Sequence, residues 1–248
     1  MHHRRTIQLT HITRRGFLQA AAAALVLGNL PLAAHAAAAG GKLKIGIVGS
    51  GNVGSALGTT WAKAGHTVMF SSLDLEKDKA LAARVGSGAR AGTSKEAAAF
   101  GDVLLIAVPY HALPAVGKDL GALLKGKVVI DTCNPFEQRD GEVGVKAREV
   151  GAGLMSAQLL PGARIVRAFN AIGAARMGAA WQEPGKVGMP IAGDDAQAIA
   201  VASSLIRDIG YEPVLIGGLA MGRHLQPREP LAGERSADEI RKIAAGLK

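Results

Sequence analysis

Gly49-Ser-Gly-Asn-Val-Gly54 sets three glycines at the spacing G-x-G-x-x-G, directly after an apolar run containing Ile45, Ile47 and Val48. Binding a dinucleotide needs glycines in that order. Gly49 permits a tight turn out of a strand, and Gly51 has no Cβ to hold a pyrophosphate off the backbone. Gly54 lets the following helix pack closely on a sheet. Val53, Ala56, Leu57, Trp61 and Ala64 then recur at helical spacing. Ser50, Asn52 and Val53 therefore stand at a helix N-terminus, whose free N–H groups and partial positive charge suit phosphates. A ligand-free strand-to-helix turn is the bland alternative. The combination of strand, glycines and helix favours the dinucleotide.

The next strand, His66 to Ser72, ends roughly 20 residues past the first glycine, where an NAD site places an acid on the ribose hydroxyls. This chain has Ser71 and Ser72 there, followed by Leu73 and Asp74. Hydroxyls in place of a carboxylate remove the repulsion of a 2′-phosphate, which tilts the expected cofactor to NADP with NAD as the alternative. Lys77 or Lys79 would have to supply the positive charge, and Asp74 is placed to reach back toward a ribose.

Ligands of open parallel sheets sit beyond the carboxyl ends of the strands. Three further segments end strands on that rim: Ala107-Val-Pro-Tyr-His111, Asp131-Thr-Cys-Asn-Pro-Phe136 and Ala168-Phe-Asn-Ala-Ile-Gly173. Ala107, Val108, Pro109, Asn134 and Asn170 are candidate cofactor contacts, since rigid turns and amides suit a nicotinamide carboxamide or ribose. Pro109 and Pro135 would alternatively do no more than terminate strands. Tyr110, Pro135 and Arg223 are candidate substrate contacts. His111 and His224 are the plausible proton donors, although a surface or capping role is common for such histidines. The sequence offers no Ser/His/Asp triad, Lys-Tyr pair or metal cluster. Hydride transfer between two bound rings requires chiefly stacking and orientation, so that lack fits it.

These segments belong to an alternation of strands and helices. Helices are expected over Leu75 to Val85, from a Ser94 cap to about Phe100, over Leu113 to Leu124 and over Asp195 to Ile209. Strands are expected at Asp102 to Val108, Lys127 to Asp131, Arg164 to Phe169, Val187 to Ala192 and Glu212 to Ile216. Ser94 lacks an acid three residues on, because Ala97 stands there, whereas Ser236 and Glu239 form a full capping box before a last helix. The expected fold is α/β, a doubly wound, mainly parallel sheet of the Rossmann type with a small carboxy-terminal helical extension. Its core would run over residues 42–170 and its completion over 171–248.

Residues 1–36 read as an address. Thr13-Arg-Arg-Gly-Phe-Leu-Gln19 is a twin-arginine pattern, followed by a short apolar run and the A-x-A site Ala34-His35-Ala36. That run is interrupted by Gly28, Asn29 and Pro31, which argues against a stable membrane span; a retained anchor is the alternative. Export to the periplasm is expected. Without Arg4, Arg5, Arg14 and Arg15 the formal net charge of +9 falls by four, to about +5. The remaining charge is dispersed, which excludes the concentrated basic stripe of a nucleic-acid binder. The partner is instead a small-molecule substrate, and the sequence leaves room for a homodimer. Cys133 is the single cysteine, so no internal disulfide forms, and it reads as a small buried residue near a strand end.

Taken together, Gly49–Gly54, Ala107-Val-Pro109, Arg167-Ala-Phe-Asn-Ala-Ile-Gly173, Ala192-Gly-Asp-Asp195 and Gly217 to Leu225 resemble the NADP-dependent reductases of the deazaflavin coenzyme factor 420. The same domain forms the cytosolic part of six-transmembrane ferric reductases. The resemblance implies a Rossmann domain and hydride transfer between NADPH and a deazaflavin or flavin ring. It also implies a Ser-Arg pair for the 2′-phosphate. Ser72 matches the serine, but Leu73 stands where the arginine would be. Two other classes remain open: an imine or ketone reductase using His224 or Tyr110 as acid, and a nicotinamide-binding sensor without turnover.

Overall fold

The computed structural model describes residues 41–179 and 183–247. The twin-arginine segment and its cleavage site lie outside the described residues. The first half alternates strictly: β1 (Lys44–Val48), α1 (Asn52–Lys63), β2 (Thr67–Ser71), α2 (Leu75–Val85), β3 (Arg90–Ala91), α3 (Ser94–Phe100) and β4 (Val103–Ile106). It continues through α4 (Leu113–Leu120), β5 (Val128–Asp131), α5 (Glu137–Val150), α6 (Ala152–Leu159) and β6 (Arg164–Arg167). The remainder is α7 (Ala174–Met177), β7 (Val187–Gly193), α8 (Ala196–Asp208), β8 (Tyr211–Gly217) and α9 (Ala237–Ala244).

The strands form one sheet in the order β3-β2-β1-β4-β5-β6-β7-β8. From β3 to β6 every pairing is parallel, β7 runs antiparallel to β6, and β8 is parallel to β7. This is the expected doubly wound fold. The chain leaves β1 toward β2 on one side and later returns to β4 on the other, so the crevice opens beside the β1 end.

Strand residues are divided between two cores because side chains alternate across a sheet. Ile45, Ile47, Val103, Leu105, Val128 and Ile130 face one layer with Leu57 and Trp61, while Val48, Leu104, Ile106 and Val129 face the other with Leu113 and Leu160. That double burial explains why β4 and β5 read as unbroken apolar runs. The indole N–H of Trp61 donates to the Leu205 carbonyl at 2.9 Å, tying α1 to α8.

Several expected boundaries move. Thr93, not Ser94, caps α3: its hydroxyl accepts from Glu96 N–H while the Glu96 carboxylate accepts from Thr93, a complete capping box one residue earlier. The helix expected to Leu124 stops at Leu120, where Gly121 turns with φ +42°, and a 3-10 turn, Gly121–Leu124, follows. Strand β4 is shorter than expected, and α5 and α6 occupy a stretch over which no helix was expected. Gly141, Gly144, Gly151 and Gly153 interrupt its apolar pattern. The capping box of Ser236 and Glu239 is present as expected.

Candidate nucleotide-binding site

The glycine loop turns directly off β1. Gly49 has φ +99°, and a Cβ there would drive into the Ala107 carbonyl, so the turn needs glycine. The N–H groups of Gly49 and Ser50 both donate to the Ser71 carbonyl, at 2.9 and 3.0 Å. The loop is thereby fastened to the end of β2. A Cβ on Gly54 would meet the Gly49 carbonyl oxygen and, at 3.0 Å, Ile47 Cγ2. A Cβ on Gly51 would meet nothing within 4 Å. The backbone at Gly51 therefore faces open space, which is what an approaching pyrophosphate requires. Helix α1 begins there with no side-chain cap and no acid in its first turn, whereas α2, α3, α8 and α9 are capped by Asp74, Thr93, Asp195 and Ser236. Its N–H groups and dipole remain available to an anion.

At the β2 end the hydroxyls have partners of their own. Ser71 is fully buried and donates to the Ile47 carbonyl at 2.7 Å, so its side chain is not the cofactor contact expected of it. Ser72 donates to Asp78 Oδ2 at 2.8 Å, and Ser50 donates to Asp78 Oδ1. Asp78, on α2 and only 1% exposed, was missed in the sequence. Its signal was an acid on the inward face that Leu81 and Ala82 also occupy. Asp74 caps α2 through Lys77 N–H and pairs with Lys77 Nζ at 3.0 Å, while Lys79 pairs with Glu76 at 2.8 Å. Both pairs are exposed and weak.

Beyond β5 and β6 the rim rests on a buried ion pair. Arg167 Nη1 donates to Asp131 Oδ2 at 2.6 Å, and both side chains are 0% exposed. The same guanidinium donates to the Cys133 carbonyl at 3.1 Å and, at 3.4 Å, to Asn134 Oδ1. Asn134 in turn donates through Nδ2 to the Asn170 carbonyl at 2.8 Å. The chain reaches Asn170 through Phe169, held at φ +65° between Trp61 and Tyr211 in two edge-to-face contacts. A bulky residue in that region is strained by about 1–3 kcal/mol and persists only when its surroundings impose it. Asn170 itself is 2% exposed, and neither end of its amide has a hydrogen-bond partner among the described residues. Such a group is costly unless a ligand completes it.

Ala107 and Val108 are half-buried and Pro109 is exposed, so the loop after β4 lines the crevice. Tyr110 does not. Its ring is fully buried in the second core, and its hydroxyl donates to the Ala152 carbonyl at 2.7 Å and meets Ser156 Oγ at 3.0 Å. Burial, with the charge of Asp131 adding to it, pushes that hydroxyl above its ordinary range. Tyr110 is therefore neither a substrate contact nor an acid. Pro135 is likewise buried. Burial also pushes the Cys133 thiol well up, which makes it a packing residue.

His111 is half-exposed and its Nδ1 lies 2.8 Å from Asp140 Oδ1, a carboxylate with no exposed side-chain surface. Burial works to raise the Asp140 carboxyl. Hydrogen bonds from Arg139, Phe136 N–H and His111 outweigh it and hold the group well below the usual carboxylate range. His224 has a buried, unpartnered Nε2 on the 3-10 segment Leu219–Leu225. Arg223, on the same segment, donates to the Glu149 carbonyl at 2.9 Å. Among the described residues no group of His, Cys, Asp and Glu is arranged to hold a metal.

A glycine cradle at the switch point of such a sheet is the arrangement that dinucleotide-binding α/β domains use. The family model "NADP oxidoreductase coenzyme F420-dependent" matches residues 44–135. The F420-dependent NADP reductase of Methanothermobacter marburgensis is 30% identical over 203 residues, which cover 76% of this chain and 90% of the reductase. Metalloreductase STEAP3 of Rattus norvegicus is 29% identical over 186 residues, 74% of this chain, but the match spans only 36% of that longer protein. A solved hypothetical protein from Sinorhizobium meliloti has the same fold with a TM-score of 0.67 at 25% identity, covering 79% of this chain and 95% of that one. The chain belongs to the coenzyme F420-dependent NADP oxidoreductase family.

Proposed function

We propose that this chain transfers hydride between NADP(H) and a flat ring acceptor of the flavin or deazaflavin type. Bound here, the dinucleotide would supply the hydride chemistry through its nicotinamide ring. Gly49, Gly51 and the α1 N-terminus would hold the pyrophosphate, and the Ala107–Pro109 turn would form one wall. The observation that carries the reading is Asn170, a buried amide with both ends unpartnered beyond β6. A carboxamide offers the donor and the acceptor that this amide lacks. The test is single-turnover oxidation of deuterated NADPH by flavin and by deazaflavin, followed in stopped flow. An isotope effect with either acceptor supports the proposal, and reduction of neither refutes it.

A second reading, reduction of an imine or ketone, is favoured by the His111–Asp140 pair. Asp140 accepts from Nδ1–H and fixes the imidazole orientation, so that Nε2 would accept a proton in the neutral ring and donate one from the imidazolium. Turnover confined to a carbonyl or imine panel, and lost in His111→Ala, would select it. We also propose export by the twin-arginine route, on the strength of Arg14-Arg15 and Ala34-His-Ala36. Replacing both arginines with lysine should leave precursor in the cytoplasm; undiminished export would count against it.

A further inference from the structure

We propose that Asp78 sets the coenzyme preference of this chain, by taking the serine protons that a 2′-phosphate would need. The inference rests on the dinucleotide reading above and concerns its adenosine end. A phosphomonoester offers acceptors only, so a site selective for it must present donors. Three hydroxyls lie where the glycine loop meets the end of β2, and each has a single proton to give. Ser71 gives its proton to the Ile47 carbonyl at 2.7 Å. Ser50 and Ser72 give theirs to the two oxygens of Asp78. The Asp74 carbonyl is the other acceptor near Ser72, but at 3.4 Å it competes poorly with a carboxylate oxygen at 2.8 Å.

What Ser50 and Ser72 keep is acceptor capacity, part of it used on Ser72 by Asp74 N–H at 3.1 Å. Acceptors match the O–H groups of an unphosphorylated ribose. Asp78 is 1% exposed, so it acts through these two hydroxyls and through its charge rather than by touching the ligand. Leu73, beside them, is fully exposed and offers no donor. Lys77 and Lys79 are exposed, and the nearby acids Asp74 and Glu76 offset part of their charge. The carboxylate that the sequence lacks at the tip of β2 is thus supplied from α2, one step back from the ligand. The chain therefore admits NAD(H) beside NADP(H), and Asp78 keeps the margin between them narrow.

Dissociation constants for NAD+ and NADP+, measured by calorimetry on the full chain, Asp78→Asn and Asp78→Ser, test this. Both variants remove the charge; Asn keeps a single acceptor oxygen and so releases one of the two serine protons, while the shorter Ser lacks both carboxylate oxygens and releases the pair. Each should raise the preference for NADP+ over NAD+ by about tenfold, the weight of one charge-assisted hydrogen bond. Should one variant fail to unfold cooperatively, the other decides. Ser72→Ala in the unaltered background probes the same point while keeping the carboxylate's charge, at the loss of one of its two serine donors. Its proton being already committed, NADP+ affinity should fall by less than about twofold. An unmoved ratio in folded Asp78 variants, or a large loss of NADP+ affinity in Ser72→Ala, overturns the role of Asp78 while leaving the dinucleotide site standing. Failure of the unaltered chain to bind either dinucleotide overturns both.

Discussion

The two sides of the crevice are built from different materials. Between β1 and β2 the surface is backbone: glycines at 49, 51 and 54, two loop N–H groups on the Ser71 carbonyl, and an uncapped helix start. Between β5 and β6 it is largely side chain: Asp131, Arg167 and Asn134 are joined in series and end on the Asn170 carbonyl, with the first two fully buried. A backbone surface is set by local conformation and tolerates change wherever a side chain can point to solvent. A buried polar network is set by complementarity among distant residues, and each member left alone is a liability. At Gly51 the cradle should therefore fail in binding without failing in folding, whereas the Asp131–Arg167 pair under the far rim should fail in folding first.

The largest effect is expected at Arg167. Arg167→Met leaves Asp131 buried without its cation, and removing one partner of such a pair costs about 3–5 kcal/mol. Urea unfolding should show that loss in the midpoint. The double variant Asp131→Asn with Arg167→Met should recover much of it, because the uncompensated charge is gone. A single variant as stable as the unaltered chain would mean that the pair is not structural and that the two sides are more alike than described.

Gly51→Val tests the other side. The added side chain has open space and the backbone there has ordinary negative φ, so stability should change by less than about 1 kcal/mol. Dinucleotide affinity should nevertheless fall at least a hundredfold, about 2.7 kcal/mol, because the side chain occupies the pyrophosphate position. Calorimetry on the folded variant checks both halves of the statement. Unchanged affinity would remove the loop from the site.

This contrast also explains what could be read from the sequence. The glycine loop, the sheet class and the four rim segments were legible because each depends on local spacing or on the unbroken apolar runs of strands buried on both faces. Gly51 and its open surface follow from the motif alone. Tyr110 and Ser71 were misplaced because strand-end position does not tell whether a side chain turns outward. Tyr110 instead enters the core, and Ser71 folds back on Ile47. Asp78 was invisible for a related reason: its partners Ser50 and Ser72 lie 28 and 6 residues away, and only the packing of α2 against the loop brings them together. The Asp131–Arg167 pair spans 36 residues and two strands, with no local pattern to announce it.

Asn170→Ala should separate folding from catalysis on the far rim. Its amide is unpartnered, so deleting it relieves a buried polar group and leaves the ligand-free protein as stable as before or slightly more so. The rate of hydride transfer should fall by about 1–3 kcal/mol in transition-state free energy if the amide orients a carboxamide. Single-turnover kinetics beside thermal unfolding distinguish the cases. A variant that is less stable but equally fast would show that Asn170 serves the fold.

The smallest expected effect concerns the seam that joins the two sides at the opposite end of α1. His66 Nδ1 accepts from Leu43 N–H at 3.1 Å, and Nε2 lies 3.0 Å from Asp208 Oδ2, linking the start of β2 to the end of α8. That pattern uses the neutral ring, with Nε2 donating. Burial lowers the pKa of His66, and it outweighs the opposing attraction of Asp208. A proton therefore binds the unfolded chain more readily than the folded one. The contribution of His66 is complete above its ordinary value of 6.5 and declines as pH falls from there through the lowered folded value. Unfolding midpoints measured between pH 8 and about 5 should drop more steeply for the unaltered protein than for His66→Gln, which has no proton to gain in that window. Because the group acts at the seam and not at the crevice, dinucleotide affinity over the same range should not follow it. Parallel losses of stability and affinity, both abolished in His66→Gln, would show that the seam and the cradle are coupled through α1, and the separation drawn between them would fail.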